Sequence, residues 1–193
     1  MEEQKFAFYK TVEDGSKTEE EYRNQKPAYD AKMAEMDVDQ CRIYMQEIEG
    51  RMYVFSFVES KKEVQFAGTS AKHVYEFKVR EGEDLSGLST NGMIIGVAKG
   101  MLGEYVRLHD EQPQIIHDLC YQNGFRKSSI FAFEASPDHY YLLQFVEFKG
   151  KENPELYEDK RYQEWLRVTG ECQSPLPGED FWKDMKLIYE YRS

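Results

Sequence analysis

The sequence predicts an α+β fold: two tandem copies of a β-α-β-β-α-β unit, their antiparallel sheets stacked as a sandwich or closed barrel with the helices outside. Three observations carry that expectation. The hydrophobic pattern runs through strand, helix, hairpin and strand in the same order twice. Local sequences recur with it: Glu21-Tyr22-Arg23 returns as Glu104-Tyr105-Val106-Arg107, and the run from Tyr53 to Glu59 (YVFSFVE) returns as Tyr141 to Glu147 (YLLQFVE). The stretch from Glu81 to Gly92 (EGEDLSGLSTNG) holds three glycines among polar residues and reads as a linker. The domains expected are therefore a first repeat over 1–80, a linker over 81–92 and a second repeat over 93–193. A period above 80 residues is too long for a solenoid, and a unit with helices on one sheet face leaves the other face apolar, so a second copy is the natural cover.

Each element has a local reason. Phe6 to Val12 is β-prone, and Glu13 to Ser16 is turn chemistry. Thr18 is the expected N-cap of a helix running to Met36, with acidic residues in its first turn and Pro27 kinking or breaking it. Cys41 to Ile48 and Arg51 to Val58 alternate around Glu49-Gly50, a strong hairpin signal. The segment from Lys61 to Lys72 is ambiguous, and His73 to Arg80 alternates as a strand. After the linker come a strand over Met93 to Lys99 and a helix over Leu102 to Gln122 interrupted by Pro113, with Gly124 as its C′ residue. Strands over Lys127 to Phe133 and Tyr140 to Phe148 follow, then a helix from Pro154 to Thr169, a loop over Gly170 to Gly178 and a closing strand over Met185 to Tyr191.

Composition sets further bounds. Hydrophobic residues make up 40% of the 193, enough for a packed core. A net charge of −11 argues against holding phosphate backbones, so no nucleic acid partner is expected. The 14 Tyr, 12 Phe and 2 Trp read mostly as core, and the same abundance would suit a pocket for a sugar or another flat-faced ligand. Three widely spaced cysteines without a CxxC pair fit a reducing compartment. No apolar run is long enough to span a membrane and no basic leader precedes one, so a cytoplasmic protein without a membrane partner is expected. No spacing of His, Cys and carboxylates suggests a metal, and no phosphate-cradling glycine loop points to a cofactor.

The chemistry centres on Tyr105 and His109. Four residues apart on a helix, they leave one face a turn apart, a phenol beside a group that exchanges protons near neutral pH. Asp110 and Glu111 point away from that face and read as solvated; His117, His73 and His139 read as surface residues.

The second half, about residues 92 to 192, resembles the L-rhamnose mutarotases of the dimeric α/β-barrel, ferredoxin-like superfamily. The residues that carry the resemblance are Glu104-Tyr105-x3-His109 opening a helix, Gly124 fifteen residues after the His, and Arg161-Tyr162-Gln163-Glu164-Trp165 where the family has a tryptophan-bearing helix. The resemblance implies two ferredoxin-like units forming a pseudo-dimeric α/β barrel. It assigns His109 as the acid/base, and Tyr105, Trp165 and Ser128 as substrate-binding positions. Ser128 stands where the family usually has a Tyr, and Leu166 where it often has a second Trp. In the first half Tyr22 is kept, Lys26 takes the His position, and Cys41 lies opposite the strand Tyr, so one candidate site per chain is expected.

The implied activity is that of an isomerase, interconverting pyranose anomers of a small 6-deoxy sugar such as L-rhamnose without cofactor or metal. The alternatives are a non-catalytic ligand-binding or regulatory barrel, and a cofactor-independent monooxygenase of the same superfamily. The expected partner is the sugar itself; a monomeric pseudo-dimer is expected, with further homo-oligomers left open.

Overall fold

A computed structural model describes residues 3–77, 79–150 and 153–193 of the chain. Their backbone is α+β, with ferredoxin-like antiparallel sheets, as the sequence predicts. It divides into two compact units: Met1–His73 with Met185–Ser193, and Val74–Asp184.

The first unit begins with β1 (Gln4–Val12), then α1 (Gly15–Asn24) and α2 (Lys26–Glu35). The helix starts earlier than Thr18 because Asp14, in extended conformation, takes the N-cap: its side chain accepts from the Lys17 amide at 3.0 Å. Pro27 breaks the pattern rather than kinking it. It sits in the first turn of a new helix, where a missing N–H costs nothing, and the chain breaks at Gln25.

The hairpin of β2 (Val38–Ile48) and β3 (Arg51–Ser60) is closed by Glu49 and Gly50, with φ of 50° and 75°. Positive φ at both loop residues matches the turn to the twist of the strands. Residues 61–68 form neither helix nor strand, so this unit lacks its second helix, and only a two-residue β4 (Thr69–Ser70) pairs with β1. The sheet order is β11-β2-β3-β1-β4, with β11 being Lys186–Arg192. Val54 and Val58 on β3, with Cys41 and Ile43 on β2, face Tyr22 and Met33 from the helices.

The second unit repeats this plan with more of it intact. Its elements are β5 (Lys72–Phe77), β6 (Ser89–Val97), α3 (Leu102–Asp110), α4 (Gln114–Gln122), β7 (Phe125–Ser136) and β8 (His139–Phe148). A 3-10 turn (Pro154–Glu158), α5 (Lys160–Gly170), β9 (Gln173–Ser174) and β10 (Lys183–Asp184) complete it. Pro113 separates α3 from α4, and Gly124, with φ of 98°, follows α4 as its C′ residue. The helix expected from Pro154 is a 3-10 turn there; α5 starts six residues later, where Asp159 accepts from the Arg161 amide at 2.8 Å. The sheet order is β10-β6-β8-β7-β5, with β9 also on β6. The segment read as a linker gives up its end to β6, which begins at Ser89.

One feature of the topology departs from a simple tandem. The strand at 72–77, read as closing the first repeat, lies in the second unit's sheet, and the strand at 186–192, read as closing the second, lies in the first unit's sheet. Strand propensity is local, but the choice of neighbour is set by tertiary packing.

Gly96 marks where β9 pairs with β6. A Cβ there would sit 2.5 Å from the carbonyl oxygen of Ser174. Gly96→Ala must push β9 off the sheet, and the overpacking penalty of about 1–3 kcal/mol should appear as a lower midpoint in urea denaturation. An unchanged midpoint would show that β9 is not held there.

Candidate active site

The helix side of the second unit's sheet carries a cavity of about 280 Å³, near the lower end of the sizes that hold small ligands. Its floor comes from the strands: Asn91 and Met93 of β6, Ile130 of β7, Gln144 and Phe148 of β8. Alternation explains the set, since these positions share the sheet face that the helices cover. Tyr105 and His109 from α3 and Trp165 and Leu166 from α5 form walls, and Gln173, Trp182 and Asp184 follow from the short strands and the loop between them.

Three of the four residues singled out from sequence meet here. The imidazole of His109 lies 4.2 Å, centroid to centroid, from the Tyr105 ring and 5.2 Å from the Trp165 ring. The second meets at 69°, an edge-to-face arrangement that rings favour. Ser128 does not line the cavity. It is buried on the same sheet face beside the floor, and its hydroxyl accepts from Nε2 of Gln144 at 3.0 Å, so it holds a lining residue rather than reaching the space itself. A serine is too short to span the distance that a tyrosine at this position would cover.

His109 is the most constrained of the group. It is 8% exposed, and its Nδ1 lies 3.0 Å from the carbonyl oxygen of Tyr105. A carbonyl only accepts, so Nδ1 carries the proton and Nε2 carries the lone pair. Burial disfavours the charged ring and lowers its pKa to about 4. The ring is therefore neutral at neutral pH, a proton acceptor in waiting rather than the partly protonated group that its unperturbed pKa suggests. Burial likewise raises the Tyr105 hydroxyl well above its ordinary range, and the Gln173 side chain is its hydrogen-bond partner. Tyr105 is thus a neutral phenol fixed in place.

The outer face of α3 keeps its charges to itself. Arg107 is gripped by Glu104 at 2.6 Å and by Glu111, which accounts for those two carboxylates without bringing them to the cavity, and Asp110 is exposed. His117 stacks on Phe77 at 4.1 Å.

Several contributors lie outside what helical spacing can show. Tyr75 of β5 presents its ring edge to His109 at 5.0 Å, while its hydroxyl donates to Gln112 at 2.8 Å. Asn91 donates to Asp184 at 2.7 Å across the strand pair β6–β10. None of these leaves a local signal, whereas Gln144 on the floor does: it is a polar residue on the apolar face of YLLQFVE. Among the described residues no group of three or more His, Cys, Asp and Glu side chains is placed to hold a metal ion, and no helix is long and apolar enough to cross a membrane. All three cysteines are free and buried.

The depressed pKa of His109 has a stability consequence. Between about pH 6.5 and about pH 4 the unfolded chain binds a proton at this residue that the native chain refuses, so its contribution to stability falls as pH falls through that window. Urea melts at about pH 7 and about pH 5 should show a smaller loss in His109→Gln than in the parent chain. Equal losses would place the residue in a solvated setting.

Comparison with known proteins agrees with this geometry at the level of family and fold. A search of curated proteins returned no match. Among solved structures the chain is similar to a monooxygenase-like protein from Fusobacterium nucleatum subsp. nucleatum, at 9% identity and a TM-score of 0.51, covering 98% of this chain and 94% of that one. It is similar to another from Lactobacillus acidophilus at 10% identity and a TM-score of 0.51, covering 97% and 96%. At such identities the likeness is one of fold: a ferredoxin-like α+β architecture. Residues 90–191, over half the chain and including all of the cavity's lining, match the family model for L-rhamnose mutarotase; the protein belongs to the L-rhamnose mutarotase family.

Proposed function

We propose that the second unit interconverts the α and β anomers of a small sugar, a 6-deoxyhexose such as L-rhamnose, with His109 moving the proton. The observation that carries this reading is the fixed tautomer of His109: a basic Nε2 on a buried, neutral ring in a cavity walled by aromatic side chains.

Mutarotation opens the pyranose to the aldehyde and closes it on the other face. The anomeric hydroxyl must lose a proton and the ring oxygen must gain one. The lone pair of Nε2 can accept the first. The imidazolium so formed is disfavoured by burial, which drives the proton onward to the ring oxygen. Reversal with the carbonyl turned over gives the other anomer, and no proton or electron is gained or lost overall. Trp165 offers a flat apolar surface for a pyranose face. Gln144, Gln173, Asn91 and Asp184 provide donors and acceptors for hydroxyls, with Ser128 bracing Gln144 from the neighbouring strand.

Saturation-transfer NMR on L-rhamnose and a panel of aldoses tests the reading. The chain should speed anomer exchange, and His109→Ala should lower the rate by about 10²–10⁴. Trp165→Ala should mainly weaken binding, by about tenfold. Because the ring titrates at about 4, the rate should hold as pH drops below 6.5 and be lost only as pH approaches 4. Sugar binding in calorimetry with exchange no faster than in buffer would replace the reading with a non-catalytic binding protein.

A further inference from the structure

The first unit has its own cavity, about 180 Å³, on the helix side of its sheet. Tyr22 and Ser56 line it together with Lys10, Lys32 and the aromatic walls of Tyr29, Phe66 and Tyr189. Tyr22 is the counterpart of Tyr105 in the repeat. Lys26, at the position of His109, is not there: its ammonium binds Asp30 at 2.8 Å and the Glu190 carbonyl at 3.0 Å on the surface. The first unit therefore keeps the hollow but has no imidazole in it.

What remains is an unusual inventory of donors. Ser56 is 4% exposed and Tyr22 7%; neither hydroxyl has a hydrogen-bond partner among the described residues, and neither is sealed from solvent, so both open onto the cavity. Two hydroxyls that open onto the same cavity and have no partner among the described residues are free to serve an acceptor that comes from outside. Lys10 and Lys32 add two ammonium groups with no acidic partner among the described residues, in a chain whose net charge is −11. No carboxylate lines the cavity. The two acids nearby are already engaged. Asp30 takes Lys26 and the Tyr189 hydroxyl, the latter at 2.9 Å, and Glu21 takes the Tyr29 hydroxyl at 2.9 Å.

We infer that the first unit's cavity is a second, non-catalytic binding site for a small organic anion, a phosphate ester or carboxylate. The anion's oxygens accept from Tyr22 and Ser56 and are neutralised by Lys10 and Lys32. A neutral sugar would leave the ammonium groups without a counter-charge, whereas an anion uses all four groups. The inference does not depend on the proposed mutarotation.

Isothermal titration calorimetry on the full chain tests it with three anions: inorganic phosphate, glycerol 1-phosphate and gluconate. L-rhamnose serves as the neutral control, and the pattern among the anions separates a phosphate site from a carboxylate site. At least one anion should bind at one site per chain, more weakly as salt is raised. Its affinity should drop about tenfold or more in the Lys10→Met/Lys32→Met double variant. Ser56→Ala, a change too small to threaten the fold, should weaken it several-fold, and His109→Ala should leave it unchanged. No binding by any of the three, affinity retained in the double variant, or affinity lost in His109→Ala would each overturn the inference.

Discussion

One hydrogen bond decides what the second unit's cavity can do: Nδ1 of His109 donating to the carbonyl of Tyr105, one helical turn back. It links two residues that are already neighbours on α3, so it costs little ordering beyond that of the helix itself. It sets the tautomer, holds the ring plane, and directs the basic nitrogen away from the helix backbone. Everything else around the ring either keeps water out or keeps charge away. Tyr75, Tyr105 and Trp165 enclose the imidazole with apolar surface, Glu104 and Glu111 are taken by Arg107 on the helix's outer side, and Asp110 is exposed. A carboxylate turned inward would hold the imidazolium and raise the pKa that burial lowers.

The two units show one plan drawn in two directions. Both place a tyrosine from the first helix over the sheet, Tyr22 in one and Tyr105 in the other, and both leave space beside it. In the second unit the residue four positions on turns inward as a neutral base. In the first, a lysine at that position could not be buried without a counter-ion, and it goes instead to Asp30 and lies over the Tyr189 ring at 5.1 Å. The two cavities therefore differ in that residue as well as in the second helix, which the first unit lacks.

Much of this was legible in the sequence, and the division between what was and was not follows a physical line. Period-2 alternation and Glu49-Gly50 located the first hairpin because strand and turn preferences are local. Pro27 and Pro113 marked breaks because proline acts through its own backbone. Tyr105 and His109 could be paired because helix geometry fixes what lies one turn away. Trp165 could be brought to them only by resemblance, since nothing local links α5 to α3. Gln173, Asp184 and Tyr75 arrive through strand neighbours chosen by the whole fold, and the two-residue strands β9 and β10 are too short to leave a pattern. The N-cap at Asp14 rather than Thr18 shows the usual uncertainty of helix starts, where two good capping residues compete within four positions.

The exchanged closing strands have a consequence for how the chain comes together in time. The first unit's sheet holds β1 to β4 early in the sequence, but the strand that covers the outer edge of β2 is β11, at 186–192. During synthesis, β2 emerges with its edge amides and carbonyls unpaired and stays so while nearly all of the second unit is made. An open strand edge is a template for pairing with other chains. The second unit meets no such delay, because β5 precedes the rest of its sheet. The half of the molecule that begins first therefore finishes last, and its folding waits on a contact spanning most of the sequence.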